Sequence, residues 1–168
     1  IVTLGMRPNR PETGYGYIQA DLRSPSARNK EIFRVAQFRE KPDLATAQKY
    51  IQQNNFYWNA GIFIWSATTI INAFRIYEPS LAKIFDGIRS KLGTQEEQSV
   101  IDTRYPECES ISVDYAIMEK AEEIFVFPSD FGWSDLGTWG SLLMQSRRDI
   151  YGNAIIGENI SLYDTKNC

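Results

Sequence analysis

The chain has 168 residues, 43% of them apolar and 23% charged, with a net charge of −3 and no histidine. This is the size and make-up of one ordinary globular domain, and histidine acid–base catalysis and histidine metal sites are excluded. The 18 lysines and arginines form no basic stripe, so a general nucleic-acid binder is not expected.

No apolar run approaches the ~18 residues of a membrane-spanning helix, and no signal peptide opens the chain. Cys108 and Cys168 stand far apart without a CxxC spacing. They are expected to be free thiols in a reducing, cytoplasmic compartment.

In chain order, IVTLG (1–5) is a β-branched apolar run that predicts a buried strand. It is already under way at residue 1, an Ile, which points to a chain that begins inside something larger. MRPNRPETG (6–14) holds two prolines and a glycine and predicts a loop. YGYIQA (15–20) reads as a strand, 21–30 as a polar, solvated turn, and IFRVAQFRE (32–40) as a strand with imperfect alternation.

Pro42 and Asp43 suit a helix entry, and Leu44, Ala47, Tyr50 and Ile51 recur at helical spacing, so 41–54 predicts a helix. WNAGIFIWS (58–66) predicts a strand followed by Ser66 as an N-cap. Residues 67–78 and 79–93 predict two helices, the second opened by Pro79 and closed by Gly93. Residues 94–110 are polar and weakly patterned, a short helix and a loop. SVDYAIMEKAEE (112–123) predicts a helix capped by Ser112, and IFVFPSD (124–130) a short strand. FGWSDLGTW (131–139) predicts a loop running into a helix near 138–148, and 150–168 short strands. The alternation of strands and helices predicts an α/β fold with a mixed, largely parallel sheet flanked by helices.

Several polar residues are candidates for chemistry, each with a plainer alternative. Gly16, in TGYGYI, permits close approach of backbone to a ligand, or a tight turn. Glu40-Lys41-Pro42 stands between a strand and a helix, where open α/β sheets bind ligands. There Glu40 suits paired hydroxyls and Lys41 a phosphate, although a solvated charged turn has the same composition. Asn59 offers a donor and an acceptor to a hydroxyl, or simply fills a turn. Asp130 and Asp135 offer oxygen ligands to Mg²⁺, while Asp135 also suits a helix N-cap. Asp114 has the same ambiguity with the helix dipole.

The ordered set TLGMRPNRPETGYGYI, FREKPDLATAQKYI, WNAGIFIW and ISVDYAIMEKAEEIFVFPSDFGWSDLGTW resembles the nucleotidyltransferases that make nucleotide sugars. Within them it is most similar to the mannose-1-phosphate guanylyltransferases. The resemblance spans about residues 1–150 and implies part of a nucleotide-diphospho-sugar transferase fold, Rossmann-like and glycosyltransferase-A-like. It implies that residues 1–150 are the sugar-phosphate-binding half and that 151–168 begin a C-terminal β-helix-like domain or linker.

Carried over to this chain, Gly16 matches the glycine that approaches the sugar, and Glu40 the carboxylate on its hydroxyls. Lys41 matches the lysine on its phosphate, Asn59 the amide contacting the sugar, and Asp135 the aspartate holding catalytic Mg²⁺. Asp114 falls in a matching block and is a substrate-binding candidate. The implied reaction joins GTP and mannose 1-phosphate into GDP-mannose and pyrophosphate. The glycine-rich loop that cradles GTP and the first metal-binding aspartate are absent, so the chain by itself is expected to be inactive and to self-associate. Alternatives are another hexose 1-phosphate as substrate, a fused isomerase domain, or a non-catalytic regulatory module of the same fold.

Overall fold

The computed structural model describes residues 1–168. They form two compact units, Ile1–Asp130 and Phe131–Cys168.

The first unit is built on five strands: β1 (Val2–Met6), β2 (Tyr17–Pro25), β3 (Phe33–Arg39), β4 (Phe56–Ile64) and β5 (Phe125–Ser129). They hydrogen-bond in the order β1-β4-β2-β3-β5, and β5 returns to β1 to close the sheet. The sheet is mixed, as an α/β reading expects, but its balance is antiparallel. β1 and β5 run parallel; β1–β4, β2–β3, β2–β4 and β3–β5 are antiparallel. One physical reason lies in the links. Parallel neighbours need a crossover of a dozen or more residues, and the 26–32 link between β2 and β3 is too short for one.

Two strand irregularities are not legible in the pattern. The polar stretch 21–25, expected as a turn, continues β2. It does so as a bulge, because the register to β3 shifts between Asp21 and Pro25. Asp21 stabilises it by accepting from the Arg23 backbone N–H (3.1 Å) and the Ser24 hydroxyl (2.8 Å). In β4, a step from Thr3 to Gly5 in β1 corresponds to a step from Phe63 to Asn59. The extra residues are accommodated where Gly61 takes φ +68°, a left-handed value that glycine adopts at little cost.

Helices α1 (Leu44–Ile51), α2 (Ala67–Tyr77), α3 (Pro79–Ile88) and α4 (Glu97–Arg104) complete the unit. Asp43 caps α1 by accepting from Thr46 N–H at 2.7 Å, and Ser66 caps α2 by accepting from Thr69 N–H at 3.1 Å. Pro79 occupies the first turn of α3, where its missing N–H costs nothing. No helix is long and apolar enough to cross a membrane.

The expected helix 112–123 is instead a five-residue π turn, Asp114–Met118, without a side-chain cap from Ser112. Its three consecutive residues Ala116, Ile117 and Met118 are all buried. An α-helical stripe buries residues three and four apart, not a run of three. Here Met118 joins Ile18, Phe38, Tyr57, Ile124 and Val126 in the sheet core. Ala116 and Ile117 instead pack with Ala73 and Phe74 of α2. Serving two cores at once is what widens the turn.

In the second unit, α5 (Trp139–Gln145) is capped by Thr138, which accepts from Ser141 N–H at 3.1 Å. The tail forms no strands beyond an isolated bridge between Arg148 and Ala154. It is organised by buried Asn153, whose side chain donates to Asp149 and to Thr165 O and accepts from Cys168 N–H. Both cysteines are unpaired.

Candidate functional site

The site lies in the first unit, at the start of β2, the end of β3 and the middle of β4. Gly16 precedes β2, and its carbonyl accepts the Asn59 N–H at 2.8 Å. β alternation sends Tyr15, Tyr17 and Trp58 to the opposite face from Gly16 and Asn59. On that face Tyr15 meets Trp58 edge-on at 5.3 Å, and the Arg10 guanidinium lies 5.1 Å from the Trp58 ring centre. The 7–14 loop is thereby held on an aromatic floor behind the site, which makes Gly16 a fixed point.

Gly16 is required for space. A Cβ there would stand 2.4 Å from Glu40 Oε2 and 3.2 Å from Asn59 Cβ. Glu40 thus packs its carboxylate directly over the Gly16 backbone, and any larger residue would displace it. Glu40 follows β3; its side chain is 12% exposed and its Oε2 is buried without a hydrogen-bond partner. An unpaired buried carboxylate oxygen is costly in a resting protein, and it is what a site for hydroxyl groups would present. Burial pushes the Glu40 carboxyl above the usual range, and the nearby charges of Asp114 and Glu119 push the same way, while Lys41 opposes them.

Lys41 Nζ lies 3.5 Å from Glu40 Oε1, and its side chain is 62% exposed. Its backbone takes φ +43°. A non-glycine residue held there costs on the order of 1–3 kcal/mol and persists only when its surroundings impose it. Each end of the Asn59 amide makes one bond: Nδ2 donates to Asp114 Oδ1 at 2.9 Å, and Oδ1 accepts from Gly61 N–H at 3.1 Å. One Nδ2 hydrogen is left over for a ligand.

The structure therefore brings together Gly16, Glu40, Lys41, Asn59 and Asp114, residues drawn from positions up to 98 apart (114 − 16) in the chain. Asp114 acts on Asn59. Glu119, not singled out in the sequence, accepts the Glu40 N–H at 3.2 Å. Its only signal is its position five residues after Asp114, which on a helix points elsewhere.

Asp135 belongs to the second unit. It is exposed in the loop before α5, with its carboxylate folded against Gly137, where a Cβ would stand 3.2 Å from Oδ2. Thr138 and not Asp135 caps α5, so the plainer reading of that aspartate does not hold. No group of three or more acidic, cysteine or histidine side chains gathers in a way that could hold a metal ion by itself.

A family model described as nucleotidyl transferase matches residues 1–150. A mannose-1-phosphate guanylyltransferase of Escherichia coli is 33% identical over 168 residues, covering 99% of this chain and 36% of its own length. Another, of Salmonella montevideo, is 39% identical over 171 aligned positions, covering 100% of this chain and 36% of its own. The crystal structure of a mannose-1-phosphate geranyltransferase from Thermus thermophilus superposes with a TM-score of 0.74 at 36% identity, over 94% of this chain and 43% of that one. The chain thus spans about a third of the length of the curated relatives it matches.

Proposed function

The chain belongs to the nucleotidyl transferase family, and on that premise we propose that it forms the sugar-phosphate side of a mannose-1-phosphate guanylyltransferase. The observation that carries this is Glu40 Oε2, buried and unpaired over Gly16 beside the Lys41 ammonium group and the Asn59 amide. A hydroxyl-seeking carboxylate, a cation for phosphate and an orienting amide are the three elements that a hexose 1-phosphate calls for. The relatives' names support mannose 1-phosphate over other hexose phosphates, with GTP held by sequence outside this chain.

In the proposed reaction a phosphate oxygen of mannose 1-phosphate attacks the α-phosphorus of GTP. The bond from that phosphorus to the β-phosphate oxygen breaks, pyrophosphate leaves, and GDP-mannose forms. No protein nucleophile is needed, so the chain's task is to position and to neutralise charge. Lys41 holds the sugar's phosphate against the repulsion of the triphosphate. Glu40 and Asn59 fix the ring by its hydroxyls. Gly16, without a Cβ, leaves room for the Glu40 carboxylate to lie where it can take those hydroxyls.

A hard divalent cation, Mg²⁺ by choice of donors, would be held through the Asp135 carboxylate, which is exposed and matches the family's metal-binding aspartate. Such an ion takes one or two carboxylates with substrate phosphates and water, and bound there it would supply charge stabilisation at the phosphates. In this reading the setting is cytoplasmic, and residues 151–168 are the start of a β-helix-like domain or a linker.

The test is pyrophosphate release by the full-length protein with a panel of sugar 1-phosphates and nucleotides. Lys41→Ala is expected to lower kcat/KM by roughly 10- to 150-fold, the worth of a hydrogen bond to a charged group. Asp135→Asn is expected to abolish most turnover while circular dichroism shows the fold intact. Full activity in both variants, or equal rates with every sugar phosphate, would overturn the proposal.

A further inference from the structure

Two carboxylates leave the 114–118 π turn toward the sheet, and each holds a different member of the site. Asp114 accepts from the Asn59 amide at 2.9 Å. Glu119 accepts from the Glu40 backbone N–H at 3.2 Å. Between them the Glu119 N–H donates to Asp114 O at 2.9 Å, the i→i+5 bond that defines the π turn. In an α-helix, residues five apart diverge by about 140°, and these two could not both face the sheet. The wider π closure brings them round to one side.

The bond from Glu119 falls next to the residue that most needs it. Lys41 takes φ +43°, a value that lysine does not choose by itself. On its C-terminal side the chain is pinned by Asp43, which accepts from Thr46 N–H at 2.7 Å as the cap of α1. On its N-terminal side, the Glu40 N–H bond to Glu119 is the matching anchor.

We propose that Glu119 is a positioning residue: through the Glu40 N–H it holds the Glu40–Lys41 turn in the left-handed conformation that presents the Lys41 ammonium group to a sugar phosphate. This rests on the reading of Lys41 as the phosphate holder. Glu119 itself need not touch the substrate, since the oxygen it turns to the site is committed to the backbone.

The experiment compares Glu119→Ala, Glu119→Gln and Lys41→Ala in the full-length protein. Glu119→Ala should raise the KM for mannose 1-phosphate by roughly three- to tenfold, the range for an exposed hydrogen bond of this kind, and leave the KM for GTP unchanged. Glu119→Gln, whose amide oxygen can still accept the N–H, should recover most of that loss. The Glu40 amide proton resonance should move upfield in the Ala variant and stay near its original position in the Gln variant.

If Lys41→Ala raises the KM but Glu119→Ala changes neither the KM nor the Glu40 amide resonance, the positioning role is overturned and the phosphate site stands. Equal losses in the Ala and Gln variants would trace the effect to charge and also overturn it. If Lys41→Ala has no effect on the KM, the phosphate site itself is wrong and the role of Glu119 falls with it. Should the Ala variant fail to fold, Glu119→Asp, one methylene shorter, carries the same comparison.

Discussion

Glu40 is held in a setting that resists its charge. Burial raises its carboxyl above the ordinary glutamate range, Asp114 and Glu119 add to the rise, and Lys41 offsets part of it. A folded-state value raised above the unfolded one contributes stability below the ordinary glutamate range, and that contribution is lost as pH rises through the raised value. At neutral pH, Glu40 therefore costs stability that Gln would not. Glu40→Gln is expected to melt at a higher temperature than the parent at neutral pH, with the gap closing on acidification. Thermal melts of both proteins across pH check it, and a gap that widened as pH fell would contradict the sign. The same variant should lose discrimination between mannose and glucose 1-phosphates more than it loses GTP affinity, because a site built around hydroxyls penalises their misplacement. Gly16 belongs to the same argument: its lack of a Cβ is what allows Glu40 Oε2 to lie where it does.

At the scale of elements, the site depends on how α1 and the π turn are secured. The cap of α1 is Asp43, two residues beyond Lys41. The Thr46 N–H holds its carboxyl below the usual aspartate range, the mark of a cap made by the charged form. Asp43→Ala is expected to lower stability, as the loss of a helix cap does, read as a lower midpoint in urea denaturation. It should also raise the KM for sugar phosphate, since the turn at Lys41 loses one anchor. A stability loss with an unchanged KM would separate the helix from the site. The π turn shows where a segment's own pattern falls short. SVDYAIMEKAEE carries good helix formers from Ala116 onward, and Val113, Ile117 and Ala121 recur at helical spacing. What breaks the pattern is the burial of Ala116, Ile117 and Met118 against two different cores, a demand that comes from α2 and the sheet and is not written in the segment.

At the scale of the molecule, both units leave large apolar side chains open. Ile64 and Ile76 are 57% and 68% exposed in the first; Trp139, Ile150 and Tyr163 are 87%, 91% and 94% exposed in the second. Single exposed apolar residues are ordinary, but this many of this size invite association. The 168-residue chain by itself is expected to self-associate as its concentration rises, which light scattering would report as an increasing mass. It is also expected to give no measurable GDP-mannose synthesis. Orienting two reactants can account for about 7–11 kcal/mol of a barrier, and the chain carries candidates for holding one of them. Robust turnover by the chain alone would mean that residues 1–168 hold the nucleotide as well.

The strands, the caps at Asp43 and Ser66, the proline start of α3 and the candidate residues Gly16, Glu40, Lys41, Asn59 and Asp114 are all readable in the sequence by itself. Each of these depends on local chemistry: a rotamer, a missing N–H, a side-chain oxygen within one turn, or a motif whose order survives in the chain. The antiparallel balance of the sheet, the extension of β2 through polar 21–25, the π turn and the bond from Glu119 to the Glu40 N–H are decided only by the tertiary structure. These depend on how a segment pairs with others and not on its own pattern; in the longest case Glu119 and Glu40 are separated by 79 residues. Periodicity reports which face of a segment is apolar; it does not report how many cores that face must serve, or which distant backbone group a carboxylate will meet.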